Sequence, residues 1–81
     1  MHITFYSAKR YDERSFQKSN EAFGHTLHFW EVPLNHHTAG FVRPPEAGDD
    51  PVAACLFVND RADAEVVAKL AAGGVQLLAL R

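Results

Sequence analysis

Residues 52–58 read Val-Ala-Ala-Cys-Leu-Phe-Val, a run with no charged or strongly polar side chain. A strand wet on one face alternates apolar and polar residues, so a run without alternation belongs to a strand covered on both faces. Strands of that kind sit inside parallel sheets. A parallel neighbour has to be reached by a crossover of a dozen residues or more, and the sequence supplies such crossovers on both sides of the run.

The remaining segments follow that requirement. Ile3 to Ser7 is predicted as a first strand, rich in β-branched and aromatic residues. Asp12 is a predicted N-cap, Phe16 and Phe23 lie on one helical face, and Gly24 is suited to the position after a helix end, giving a helix over 12–23. Leu27 to Val32 is a second strand whose adjacent Phe29 and Trp30 point to opposite faces, and Pro33 ends it. Asn35 is placed to cap a short helix through Thr38, Ala39 and Phe41. Arg43-Pro44-Pro45 must stop it, and Gly48 to Pro51 continue in turn chemistry. After the apolar third strand, Asn59-Asp60 opens a helix with Asp63 and Glu65 in its first turn, where carboxylates favour the positive end of the helix dipole. Val66, Val67, Leu70 and Ala71 form its apolar stripe, Gly73-Gly74 stops it, and Val75 to Leu80 is a fourth strand.

The expected fold is therefore α/β: a flavodoxin-like, three-layer (βα)3β arrangement with four parallel strands in the order 2-1-3-4. Such a sheet binds ligands beyond the carboxyl ends of its strands, where the strand order reverses. Between strands 1 and 3 that point is bounded by Ser7, Ala8 and Lys9 on one side and Phe57, Val58 and Asn59 on the other, with Arg81 at the same edge.

Composition narrows the function. Eight Lys and Arg against ten Asp and Glu give a net charge of −2, so no basic field is present to hold nucleic acid. No apolar stretch approaches the length of a membrane span, and the single cysteine excludes a disulfide framework. A soluble, cytoplasmic protein in a reducing compartment is expected. Cys55, buried within the third strand, is expected to behave as a small hydrophobe with a raised thiol pKa. His25-x-x-His28 would place its members on opposite faces of a strand and His36-His37 are adjacent, so surface histidines are expected and no metal site. The turn after the first strand, Ser7-Ala8-Lys9-Arg10, is not a glycine-rich phosphate cradle, so the segment is not expected to hold a dinucleotide.

Three features at the ligand edge carry alternative readings. Lys9, Arg10 and Arg14 either attract a carboxylate or are a solvated helix entry; Arg81 either pairs with an anion or solubilises a strand end; Phe57, by its surroundings in sequence, is a core residue.

Five stretches occur in order: Ile3-Thr4-Phe5-Tyr6-Ser7-Ala8-Lys9 with Tyr11-Asp12; Asn20 to Gly24; Leu34 with Thr38-Ala39; Cys55 to Asp60; and Ala79-Leu80-Arg81. Together they resemble the opening stretch of the D-lactate dehydrogenases among the D-isomer-specific 2-hydroxyacid dehydrogenases. Only Arg43 to Asp50 departs, looking longer and richer in proline than that family. The resemblance implies that residues 1–81 are the N-terminal, incomplete part of a substrate-binding domain, followed by an NAD-binding domain. It implies a parent enzyme that reduces pyruvate to D-lactate with NADH, acts on small 2-keto or 2-hydroxy acids and is a homo-oligomer. Phe57 matches an aromatic position lining the substrate pocket, and Arg81 leads into the loop that holds the substrate carboxylate. The family's histidine acid/base, its glutamate and its keto-acid-binding arginine lie further along the chain, so these 81 residues alone are expected to be inactive. The alternative is a stand-alone flavodoxin-like module for a small ligand or protein partner. A phosphorelay receiver is disfavoured, because Ser7-Ala8 and Val58-Asn59 stand where its acidic residues belong.

Overall fold

The computed structural model describes residues 1–57 and 63–80, the last by its backbone alone. The elements are β1 (His2–Phe5), α1 (Arg10–Asn20), β2 (Thr26–Phe29), two 3₁₀ turns (Ala39–Phe41 and Pro45–Ala47), β3 (Val52–Leu56), α2 (Ala64–Ala72) and β4 (Val75–Leu80). Every pairing is parallel and the sheet order is β2-β1-β3-β4, as the apolar third strand and the crossover lengths require.

All five residues of β3 are buried. Residues of even number point to one side, where Thr4, Tyr6, Val52, Ala54 and Leu56 meet Val66 and Leu70 of α2 and Leu34, Ala39, Val42 and Ala47 of the long β2–β3 connection. Residues of odd number form the thinner opposite layer, where Phe5 and Cys55 pack with Ile3, Leu27, Phe29 and Phe16 of α1. Phe5 lies 4.7 Å from Phe16 and 4.8 Å from Phe29, ring centre to ring centre. Phe29 and Trp30 do point to opposite faces: Trp30 packs on Phe41, 5.0 Å away.

Several element ends differ from the sequence expectation, each for a visible reason. Asp12 is the third residue of α1, not its cap; its carboxylate reaches back to accept from the Lys9 amide at 3.1 Å, so the helix starts at Arg10. α1 stops at Asn20, not at 23, because the Asn20 side chain leaves the helix surface to bind both backbone groups of His25. Phe23 consequently lies beyond the helix and is 72% exposed. β2 ends at Phe29, since beyond it the Trp30 and Val32 carbonyls accept from the amides of Ala8 and Ser7 in an irregular turn. Asn35 caps its segment through the His37 and Thr38 amides, but the segment makes only 3₁₀ turns. β3 ends at Leu56; Val58, Asn59 and Asp60 lie outside the described residues. Asp63, not Asn59 or Asp60, caps α2, accepting from the Val66 amide at 3.0 Å.

Two buried hydroxyls fasten the β2–β3 connection to the sheet. Thr4 donates to the Val42 carbonyl at 2.7 Å and Tyr6 to the Thr38 carbonyl at 2.8 Å. Each satisfies a polar group that burial would otherwise penalise.

Candidate functional site

β1 and β3 are adjacent, while α1 and α2 pack on opposite faces of the sheet, so a cleft opens between the strands' carboxyl ends. Among the described residues it is lined by Ser7, Lys9, Tyr11 and Phe57 and encloses about 230 Å³. That volume suits a molecule of a few heavy atoms, smaller than a drug-sized ligand.

The chain reaches this geometry through Ser7. Its φ of 54° is the only left-handed value among described residues other than glycine, a conformation that costs a residue with a Cβ. The turn is held on both sides: Tyr6 donates its amide to the Cys55 carbonyl at 2.9 Å, and Ser7 its amide to the Val32 carbonyl at 2.8 Å. Ala8 is buried, which pins the chain before Lys9 and Tyr11 emerge. Lys9, the N-cap of α1, and Tyr11, in its first turn, are exposed and border the cleft.

Phe57 follows immediately after β3 and is 36% exposed, unlike the five buried residues before it. It is therefore a wall of the cleft and not the core residue that its sequence surroundings suggest. Of the basic cluster, Lys9 borders the cleft, whereas Arg10 and Arg14 are exposed on α1 away from its lining. Ser7 and Lys9, singled out by topology, share the cleft with Phe57; Ala8 supports them from below. Val58, Asn59 and Arg81 lie outside the described residues. Tyr11 was missed by topology; its signal was the position of a hydroxyl two residues after Lys9 at a helix start.

An ammonium, two hydroxyls and one aromatic face can hold and orient a small anion with a short apolar portion: charge and hydrogen bonds at one end, the ring against the other. The positive end of α1 adds to the same field. The cleft's described lining contains no histidine or carboxylate to exchange a proton with substrate. The turn after β1 also lacks the glycines that let a backbone approach a pyrophosphate, and its Ala8 is buried in the core with Phe5 and Cys55, so the described residues of this turn do not fit a dinucleotide. The histidines lie elsewhere. His28 contacts His2, His25 is gripped through its backbone by Asn20, and the His36 and His37 rings are 3.9 Å apart. The described residues contain no group of three or more metal-ligating side chains. No described helix is long and apolar enough to cross a membrane.

Comparison with known proteins gives a consistent answer along the whole chain. It is 43% identical over all 81 residues to a 2-hydroxyacid dehydrogenase homolog of Zymomonas mobilis and 37% identical to the D-lactate dehydrogenase of Escherichia coli, in each case matching 23% of the relative. The apo-structure of the Escherichia coli enzyme superposes on 99% of the chain with a TM-score of 0.86. A solved structure described as the pyruvate reductase of Chlamydomonas reinhardtii superposes with a TM-score of 0.78 at 36% identity, again over 99% of this chain and 22% of that one. The chain thus spans less than a quarter of the length of these relatives. No family model matches it.

Proposed function

We propose, for a chain homologous along its whole length to an N-terminal segment of the D-lactate and 2-hydroxyacid dehydrogenases, that it forms the first part of the substrate domain of an NAD-dependent D-lactate dehydrogenase. The parent reaction is the reversible reduction of pyruvate to D-lactate by NADH. The observation that carries this reading is the cleft between β1 and β3, whose Ser7, Lys9, Tyr11 and Phe57 match a small 2-keto acid in size and polarity.

In this reading Lys9 draws the substrate carboxylate toward the cleft, Ser7 and Tyr11 offer hydroxyls to its oxygens, and Phe57 packs against its methyl end. Arg81 leads into the loop that grips the carboxylate. The nicotinamide cofactor supplies the hydride; since the described residues do not fit a dinucleotide, it is held by another part of the protein, as is the acid/base that exchanges the substrate proton. These residues therefore bind and orient, and catalyse nothing alone. The parent is soluble, cytoplasmic and a homo-oligomer.

Purified full-length protein should oxidise NADH when given pyruvate, and in the reverse direction should reduce NAD with D-lactate but not L-lactate. Turnover of L-lactate, or of no 2-hydroxy acid at all, would overturn the proposal.

A further inference from the structure

On the opposite side of the sheet from α1, His2 of β1 and His28 of β2 lie ring against ring. Their planes are 16° apart and their centres 5.2 Å apart, and His2 Nδ1 is 3.0 Å from His28 Nε2. His2 is only 8% exposed. Each outer ring nitrogen faces a carboxylate of the loop that covers them: His2 Nε2 lies 3.4 Å from Asp50, and His28 Nδ1 lies 3.6 Å from Glu46. The four groups form one line across the seam between sheet and loop, from Asp50 through His2 and His28 to Glu46.

Counting protons along this line gives it a property that neither histidine has alone. With both rings neutral there are two protons: one bridges the rings and one outer nitrogen donates to its carboxylate, leaving the other carboxylate facing a lone pair. A third proton completes the line, since both outer nitrogens then donate and the central bond persists. A fourth places two N–H groups nose to nose at the central contact, with two positive charges on adjacent rings. We propose that the His2–His28 pair is a charge-limited latch, which holds the loop bearing Glu46 and Asp50 against the sheet while the pair carries at most one positive charge and releases it when both rings are protonated.

The other charged groups on this loop are Asp49, which is exposed, and Arg43, whose guanidinium binds the Gly48 and Asp50 carbonyls at 2.6 and 3.0 Å. The loop therefore has one permanent fastening and one that titrates. Burial lowers the pKa of His28, with the Glu46 carboxylate opposing and His2 adding to the effect, so the His28 ring takes its second proton less readily than an ordinary histidine.

Hydrogen exchange by mass spectrometry on the full-length protein tests the latch at the Ala47, Gly48 and Asp50 amides, which bond within the loop. After correction for intrinsic rates, their protection should fall about tenfold between about pH 7 and about pH 4.5 in the wild type. His28→Gln keeps a partner for His2 but admits one charge at most, so it should hold protection across that range. His2→Gln tests the same limit from the other ring and serves if the first variant does not fold. A wild type without the fall, or single-histidine variants that lose protection over the same interval, would overturn the proposal and leave the carboxylates in control.

Discussion

Arg43 donates from Nε to the carbonyl of Gly73 at 2.7 Å, joining the middle of the β2–β3 connection to the end of α2. The same guanidinium reaches the Gly48, Asp50 and Gly74 carbonyls, so one cation satisfies carbonyls from two segments and sits where the helix dipole is negative. Arg43→Ala should lower stability by about 2–3 kcal/mol, the range for losing charged hydrogen bonds with partial solvent access. Arg43→Lys should recover only part, since a point charge cannot reproduce the fork. Chemical denaturation of the full-length protein measures both.

Gly74 faces this guanidinium closely. Its φ is 80°, and a Cβ built on it would lie 2.5 Å from Arg43 Nη2. Gly48, at φ 54°, has open space around it. Gly48→Ala should cost only the backbone penalty, about 1 kcal/mol, while Gly74→Ala adds displacement of Arg43 and should cost about twice that. Equal losses by denaturant titration would mean that Arg43 gives way freely.

Tyr6 and Thr4 extend the same fastening from the sheet side. Tyr6→Phe removes the bond to the Thr38 carbonyl and should cost about 1–1.5 kcal/mol, again read from the denaturation midpoint. Thr4→Val leaves the Val42 carbonyl buried without its 2.7 Å partner and should cost about 1–3 kcal/mol.

How much of this was legible in the sequence depends on the range of the interaction. β3 was readable because its apolar run reports burial directly, β4 was readable from its apolar run even though Leu77 and Leu78 are exposed at the sheet edge, and the order 2-1-3-4 followed from crossover length and handedness. The starts of α1 and α2 shifted because caps are set by which carboxylate reaches which amide: Asp12, read as a cap, is the third helical residue, and Asp63, read as a first-turn residue, is the cap. In the cleft, Ser7, Lys9 and Phe57 were placed by topology alone. The exposure of Phe57 was not readable, because an aromatic at the end of a buried run looks like the run itself. Arg43 was seen only as the residue before two prolines; its partners lie up to 31 residues away, a distance over which sequence carries no local signal.

Acid should weaken the fold through His28. Its pKa is lowered from the ordinary 6.5, chiefly by burial, so the folded protein binds this proton less readily than the unfolded chain. The stabilisation is present above pH 6.5 and is lost as pH falls through the lower folded value. Unfolding free energy followed over that interval should decline more steeply in the wild type than in His28→Gln.

The central claim is that the cleft beside Ser7 receives the keto acid, and Phe57 tests it most directly. Under the proposed function, Phe57→Ala in the full-length protein should raise KM for pyruvate about tenfold, equivalent to about 1.4 kcal/mol of lost apolar contact, with KM for NADH unchanged. Unchanged kinetics for pyruvate and for every other 2-keto acid would contradict the account and remove this cleft from the substrate site.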